Sequence, residues 1–235
     1  MIRGAWGRDP LLPRAFSLLS AGPGSSAEIL AKTVGRGTAL LERALPGAEL
    51  DVLGPLGNSF PESRPDTVDL LVAGGVGLPP LYMVGATSAA RGEVDRLEML
   101  YGGRRAVDLV LLREMEAMRL PLFLTTESGE LGQAGLVTKA LEARLDHHRG
   151  KPVRILSCGP NPMLWAVARI ARDRGVPCFL SLEEQMACGI GVCLGCAIPA
   201  RSRPFRYVCS NGPVFDAADV LDVSEPPAPP AVCAS

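Results

Sequence analysis

Four cysteines toward the end of the sequence are spaced like the ligands of an iron-sulfur cluster. They follow the pattern C-x4-C-x2-C and then, after twelve further residues, a fourth cysteine; they are Cys188, Cys193, Cys196 and Cys209. Thiolates at this spacing hold the [2Fe-2S] cluster of plant-type ferredoxins. The pattern therefore predicts a plant-type cluster, which exchanges single electrons.

Glycines between these cysteines fit a tight loop. Gly189, Gly191 and Gly195 are predicted to supply backbone conformations that residues with a Cβ avoid. Free N–H groups in such a loop can donate to cluster sulfurs and tune the reduction potential. Zinc is the main alternative, although its sites usually combine two short C-x2-C pairs.

The other cysteines do not extend this pattern. The chain has seven cysteines, an odd number that argues against a disulfide framework. We expect Cys178, in an apolar run, to be a small buried side chain and Cys233, in a proline-rich tail, to be an exposed thiol. Reduced thiols for cluster assembly point to the cytosol.

Charge and composition argue against several classes of function. The formal net charge of -1 lacks the basic excess of a nucleic-acid-binding protein. No apolar run in the sequence reaches the roughly 18 residues of a membrane-spanning helix. The only histidines, His147 and His148, follow a predicted helix and are expected to be solvated, which makes chemistry with a histidine base improbable.

The elements that would position a second cofactor come first in the chain. Strand-like runs at residues 15–19, 27–34 and 49–53 are broken by glycine and proline, and a turn at 53–58 follows them. They favour a small antiparallel β-barrel over residues 1–62.

Two segments of this domain suit a dinucleotide. Residues 14–17 read Arg-Ala-Phe-Ser, in which the arginine can clamp a pyrophosphate while alternate residues face a flat ring. Residues 32–38 lead through glycines into a helix, where N–H groups can bind an anion and Thr38 can act as a cap. Each segment alone is also typical of an ordinary strand or a capped helix, but the two together favour a dinucleotide.

Beyond Thr67 the pattern changes to alternating strands and helices. We expect strands at residues 68–73, 97–101, 120–126, 153–158 and 177–181, and helices at residues 80–90, 106–117, 136–146 and 162–173. This alternation predicts a parallel α/β sheet, whose ligands bind at the carboxyl ends of the strands.

Three loops after these strands are rich in glycine or proline: residues 74–77, 125–129 and 158–163. The first lacks the G-x-G-x-x-G spacing of the usual dinucleotide fingerprint. The helix after Pro162 begins at the same edge of the sheet, so the predicted ligand is a nicotinamide nucleotide.

The order of barrel, α/β sheet and cluster loop resembles the electron transfer subunits of class 1B dihydroorotate dehydrogenase, in the ferredoxin-reductase superfamily. The motifs that carry the resemblance are residues 52–58, 158–163, 181–196 and 208–215. It implies an α+β multidomain protein, with a FAD-binding antiparallel β-barrel at 1–62, a parallel α/β NAD-binding domain at 63–181 and a small plant-type [2Fe-2S] domain at 182–223. The proline-rich residues 224–235 are predicted to form a disordered tail.

The resemblance also assigns cofactors to residues. FAD contacts fall on Arg14, Ala15, Phe16, Ser17, Leu30, Ala31, Lys32, Gly37 and Thr38. NAD contacts fall on Gly74, Gly75, Gly77, Cys158, Gly159 and Pro160, and cluster ligation on the four spaced cysteines. No catalytic acid or base is implied in this chain.

In that family, a partner subunit carries FMN and oxidises dihydroorotate in pyrimidine biosynthesis. The resemblance implies that this chain passes the electrons through the cluster and FAD to NAD, in a cytoplasmic heterotetramer of two plus two subunits. FAD lies between the other two groups because a flavin can exchange either a hydride or single electrons.

One departure from the family concerns the N-terminus. Relatives have several strands before the arginine motif, whereas Arg14 leaves room for about one strand. We therefore expect the barrel to be N-terminally truncated, with the natural start upstream of Met1. Ala15 also stands where the family often has proline.

Two other functions remain open. An NAD(P)H-dependent flavin or ferredoxin reductase subunit of a different redox complex would use the same cofactors, and a redox sensor would keep only the cluster. Arg104 and Arg105 leave NADP open beside NAD. Cys158 either contacts the nicotinamide or packs as a small residue at a strand end.

Overall fold

The computed structural model describes residues 1–22 and 26–220, so the predicted tail at 224–235 and Cys233 lie outside the described residues. In the first part of the chain, short strands form two separate antiparallel pairs. These are β1 (Ile2–Gly4) with β4 (Leu50–Val52), and β2 (Leu18–Ala21) with β3 (Ala27–Ile29), with helix α1 (Arg36–Glu42) between β3 and β4. Arg14 extends the first pair, because its backbone exchanges two hydrogen bonds with Ile2, of 2.7 and 2.8 Å.

A seven-stranded sheet forms the centre of the molecule. Its strands are β5 (Val68–Gly74), β6 (Leu97–Gly103), β7 (Leu122–Thr126), β8 (Gln133–Ala134), β9 (Val153–Cys158), β10 (Cys178–Ser181) and β13 (Val214–Asp216). The spatial order is β13-β10-β9-β5-β6-β7-β8, and every pair is parallel except β13 with β10. The five predicted strands are therefore present, and two short edge strands join them.

Helices cover both faces of this sheet. They are α2 (Leu78–Ala90), α3 (Leu112–Ala117), α4 (Val137–His147) and α5 (Asn161–Arg174). Helices α4 and α5 pack on one apolar face, and α2 and α3 on the other. The prediction of one helix over 106–117 is wrong, because Leu111 adopts a left-handed φ of 59° that separates a 3-10 turn (Ala106–Asp108) from α3.

The predicted cluster region is small and continues into the sheet. Strands β11 (Ala197–Pro199) and β12 (Phe205–Tyr207) form an antiparallel hairpin, and α6 (Val208–Asn211) follows directly. The chain then enters β13 and ends its described part in α7 (Ala217–Val220). No helix in residues 1–22 and 26–220 is long and apolar enough to cross a membrane.

Two ionic clusters lie within the sheet domain. The Arg154 guanidinium binds both carboxylate oxygens of Asp69, at 2.7 and 2.8 Å, from the neighbouring strand. His148 is buried, and its Nε2 lies 2.9 Å from the Glu98 carboxylate, which also binds Arg144. The expectation that His148 is solvated is therefore wrong, because His148, the C-cap of α4, lies one turn after Arg144 and both meet Glu98; His147 is exposed as expected.

We predict that Arg154→Met lowers the free energy of unfolding by about 3 to 5 kcal/mol, because it leaves the Asp69 carboxylate buried without its partner. Urea denaturation followed by circular dichroism measures this loss. The double variant Arg154→Met, Asp69→Leu should recover most of it. Arg149→Ala removes an exposed pair and should cost no more than about 0.5 kcal/mol. A loss equally small for Arg154→Met would contradict the prediction.

Candidate functional site

Backbone N–H groups of the cysteine loop point at the thiols. Those of Cys193 and Ile190 donate to Cys188 Sγ at 3.4 and 3.5 Å, and that of Gly191 donates to Cys209 Sγ at 3.1 Å. The first two hydrogen bonds stabilise the thiolate and lower the pKa of Cys188 to about 6. These hydrogen bonds favour the anionic sulfur of Cys188, the form that binds iron, whereas burial and the neighbouring Cys196 raise the pKa of Cys209.

The four cysteines lie as two pairs. Cys196 Sγ is 3.3 Å from Cys209 Sγ, and both residues are buried. The Cys193 side chain hydrogen-bonds Cys188 at the more exposed end of the loop. Two pairs of thiols suit a cluster that contains two irons. No group of three or more His, Cys, Asp or Glu side chains in the described part of the chain is arranged to hold a single metal ion.

The positive φ angles of this loop differ in one place from the prediction. Gly189 and Gly191 have φ of 72° and 81°, as expected of residues without a Cβ. Gly195 has no positive φ, and the third left-handed position is Leu194, with φ 59°. The side chain of Leu194 is 51% exposed, so a bulky residue accepts this conformation at the surface.

The two loops predicted to bind a pyridine nucleotide contact each other at the carboxyl ends of β5 and β9. A Cβ on Gly77 would lie 2.6 Å from the Cys158 carbonyl oxygen, and one on Gly74 would lie 2.5 Å from Met163 Sδ. A Cβ on Gly159 would lie 3.1 Å from Gly74 Cα. A residue with a Cβ therefore cannot replace Gly77 without moving the Cys158 backbone, and the three glycines let the two loops pack directly together.

Tyr101, which the sequence interpretation missed, supports the first of these loops. Its side chain is fully buried, and its hydroxyl lies 3.1 Å from the carbonyl oxygens of both Gly75 and Asp108. Burial raises its pKa, so the hydroxyl stays protonated and can donate to one of them at a time. A tyrosine at the end of an apolar strand run was the only sequence signal for this role.

Asp108 joins this region to the first domain. Its carboxylate accepts the Arg105 N–H at 3.2 Å and lies 3.3 Å from Lys32 Nζ. The hydrogen bond from Arg105 and the contact with Lys32 lower the pKa of Asp108. Lys32, a predicted FAD contact, therefore bridges to the α/β sheet.

Cys158 is 1% exposed, and burial raises the pKa of its thiol to about 12. The side chain is a neutral thiol at the end of β9. This environment favours the packing role over that of a reactive group. Pro160 of the same loop is exposed, and Gly159 is half-buried.

Two predicted FAD residues meet in the first domain. A Cβ on Gly37 would lie 2.9 Å from Arg14 Nε, so the guanidinium lies directly over the first turn of α1. Thr38 is the third residue of α1 and not its N-cap, which is Gly35. Its hydroxyl oxygen accepts the N–H groups of Val34 and Gly35, at 3.0 and 3.1 Å. The remaining predicted contacts are half-buried or exposed; they are Ala15, Phe16, Ser17, Leu30 and Ala31.

Comparison with known proteins matches two family models to the chain. Residues 183–221 match the iron-sulfur cluster binding domain of dihydroorotate dehydrogenase B. Residues 71–169 match the oxidoreductase NAD-binding domain. The two ranges contain the four spaced cysteines and both glycine loops, respectively.

Solved structures support the same fold. One reported as the NADH-dependent reduced ferredoxin-NADP oxidoreductase is 29% identical, with a TM-score of 0.76 over 87% of this chain and 72% of that chain. The ferredoxin reductase in carbazole 1,9a-dioxygenase is 28% identical, with a TM-score of 0.62 over 75% of this chain and 55% of that chain. The chain therefore has a ferredoxin-reductase-like fold with a sheet of parallel strands.

Curated relatives include the dihydroorotate dehydrogenase B (NAD(+)) electron transfer subunit of Geobacillus kaustophilus (strain HTA426). It is 40% identical over 218 residues, which are 91% of this chain and 81% of the relative. The subunit of the same name from Geobacillus thermodenitrificans (strain NG80-2) is 38% identical over 94% of this chain and 84% of its own length. With this identity over most of both chains, and with its thiol pairs and glycine loops inside the matched domains, the chain belongs to the family of dihydroorotate dehydrogenase B electron transfer subunits.

Proposed function

We propose that this chain takes electrons from an FMN-containing subunit, which oxidises dihydroorotate. The chain passes these electrons through a [2Fe-2S] cluster and FAD to NAD. The observation that carries the proposal is the position of β13. This strand begins five residues after Cys209 and pairs with β10, in the same sheet in which β5 and β9 end at the glycine loops. One rigid framework thus supports both the predicted cluster and the predicted nicotinamide site.

The cluster would be plant-type, with Cys188, Cys193, Cys196 and Cys209 as ligands. Supporting this assignment, the thiols lie in two pairs, and four backbone N–H groups point at three of them. These N–H groups remain available to hydrogen-bond sulfur when the thiolates bind iron. Residues 182–223 are proposed as this domain.

Residues 1–62 are proposed as the FAD domain, with its two antiparallel strand pairs as part of a β-barrel. Arg14 would bind the pyrophosphate, since its guanidinium lies against the first turn of α1, where a Cβ on Gly37 would come within 2.9 Å of Nε. Ser17 would lie near the flavin ring, and the remaining contacts would come from Ala15, Phe16, Leu30, Ala31, Lys32 and Thr38.

Residues 63–181 are proposed as the NAD domain, with contacts at Gly74, Gly75, Gly77, Cys158, Gly159 and Pro160. Here the chain's own residues bind and orient the nucleotide, and they need supply no acid or base. When bound, nicotinamide takes a hydride, the flavin exchanges one or two electrons, and the cluster exchanges one. The buried neutral thiol of Cys158 is consistent with a passive wall of the site.

The FMN subunit would dock on the cysteine loop. Around Cys193 the loop exposes three apolar side chains, Ile190, Val192 and Leu194, which are 55, 74 and 51% exposed. Exposed apolar groups of this kind are common at protein interfaces. A cytoplasmic complex of two plus two subunits is proposed, in which this contact brings the cluster next to the partner.

A reductase of another redox complex is the second candidate. The similarity to the NADH-dependent reduced ferredoxin-NADP oxidoreductase favours it, as do the exposed side chains of Arg104 and Arg105 at the end of β6. A free guanidinium there could bind the 2′-phosphate of NADP.

Co-expression with an FMN-type dihydroorotate dehydrogenase from the same source tests the proposed function. The purified complex should contain FMN, FAD and iron and should reduce NAD when dihydroorotate is added. Stable association without NAD reduction would count against the proposed electron path. Absence of association, together with NADPH-dependent reduction of a ferredoxin, would favour the second candidate.

Replacing a cluster ligand should separate the two electron-transfer steps. We expect Cys209→Ala to lose the iron and the visible absorption of the cluster while FAD is still reduced by NADH, because the nucleotide loops lie on other strands. Iron analysis and stopped-flow absorbance measure the two effects. Cys178→Ala, which removes a buried thiol outside the four, is the matched control. Full iron content in Cys209→Ala would contradict the ligand assignment.

Replacing Arg14 should weaken flavin binding. Hydrogen bonds to charged groups contribute about 1.5 to 3 kcal/mol, so Arg14→Ala should raise the Kd for FAD by about tenfold to a hundredfold. Titration of apoprotein, followed by flavin fluorescence, measures this change. Arg14→Lys keeps the charge and should show a smaller effect, and Arg8→Ala, at a nearby exposed arginine, should show none. An unchanged Kd for Arg14→Ala would contradict the assignment.

A further inference from the structure

A three-residue segment of the first domain, residues 56–58, contacts the loop that carries Cys188, Cys193 and Cys196. It also contacts the end of α6, the helix that carries Cys209. Leu56 packs on the cysteine loop, because a Cβ on Gly189 would lie 3.3 Å from Leu56 Cδ1 and 2.7 Å from Met1 Cγ. Gly57, with φ 78°, packs against the turn after α6, where a Cβ would lie 2.5 Å from the Gly212 carbonyl oxygen. Only glycine permits this approach.

The side-chain amide of Asn58 makes two hydrogen bonds to the backbone of Val214, at the edge of β13 that does not pair with β10. Its Nδ2 donates to the Val214 carbonyl oxygen at 2.9 Å, and its Oδ1 accepts the Val214 N–H at 2.9 Å. Val214 therefore has both backbone groups satisfied by one side chain, while β13 pairs with β10 on its other side.

Asn58 also satisfies carbonyl groups at the end of α6, the helix that carries Cys209. Its backbone N–H donates to the Gly212 carbonyl oxygen at 2.7 Å, and Nδ2 lies 3.3 Å from the Asn211 carbonyl oxygen. The last carbonyl groups of a helix have no partner within it. At the other end of α6, the Val208 and Cys209 N–H groups bond to Cys196, so the helix is held from both ends.

Asn58 is exposed to solvent, so water could satisfy its amide equally well. Its four hydrogen bonds nevertheless all go to residues 211–214. An exposed side chain with this arrangement fixes geometry more than it adds buried stability.

We propose that Asn58 is a positioning residue for electron transfer: it holds α6, which carries Cys209, against the first domain and so sets the environment of the cluster and its separation from the flavin. The inference rests on the proposed function, because it takes Cys209 as a cluster ligand and the first domain as the flavin domain.

The test uses the complex with the FMN subunit, in which Asn58→Ala and Asn58→Asp are compared with wild type. Asn58→Asp keeps an oxygen that accepts the Val214 N–H. It replaces the Nδ2 donor with a carboxylate oxygen, which faces the carbonyl oxygens of Asn211 and Val214. Ser59→Ala, at the next and exposed residue, is the control. Measurements are the electron paramagnetic resonance spectrum of the dithionite-reduced cluster, its midpoint potential, and the rates of flavin reduction by NADH and of subsequent cluster reduction.

We expect both Asn58 variants to bind FAD and to be reduced by NADH at the wild-type rate. Their cluster spectrum and potential should shift, and flavin-to-cluster transfer should slow by about tenfold or more, as found for losses of outer contacts around metal sites. Unchanged spectrum, potential and transfer rate in both variants would overturn the inference. So would simultaneous loss of FAD and cluster, which would make Asn58 a general stability residue. A wild-type complex that lacks dihydroorotate-dependent NAD reduction would count against the proposed function, whereas the spectrum and potential test Asn58 separately.

Discussion

The antiparallel pairing of β13 with β10 is the contact on which the rest of the structure depends. It adds a strand from the C-terminal region to an otherwise parallel sheet, in the register Leu180 opposite Phe215. Backbone hydrogen bonds fix that register, and a slip of one residue would turn every side chain of β13 to the other face. Because Cys209 comes shortly before β13, the same bonds restrict where the fourth thiol can lie. The segment that carries the four cysteines is thus held to the sheet in which β5 and β9 end at the two glycine loops, residues 74–77 and 158–163.

Close backbone contacts hold the remaining parts around this sheet. Gly77 lies against the backbone of Cys158, and Gly57 lies against that of Gly212, in each case at a distance that a Cβ would close. Such contacts leave little freedom for one segment to move relative to the other. The ion pair of Lys32 with Asp108 adds a further link, but it is partly exposed and contributes less. Shape, more than charge, therefore determines how the predicted sites face each other.

The sequence predicted the parts of the molecule that have strong local signals. Strand β9 was placed at its observed ends, because its apolar run is bounded by a proline and a glycine. The cysteine spacing, which predicted the cluster loop, and two of its three glycines, which predicted positive φ angles, are also local signals. Local patterns failed where a distant partner decides the outcome. His148 is buried because Glu98, fifty residues away, binds it. Likewise, β13 and the role of Asn58 depend on pairings across 35 and 156 residues, respectively, which no local pattern contains.

The central claim is that one chain connects a nicotinamide site, a flavin and an iron-sulfur cluster. Anaerobic titration of the isolated holo-chain with NADH tests it most directly, with flavin followed by absorbance and the cluster by electron paramagnetic resonance. The account predicts that NADH bleaches the flavin band and that the signal of the reduced cluster develops in the same titration. A cluster that dithionite reduces but NADH leaves fully oxidised, with the flavin already reduced, would contradict it.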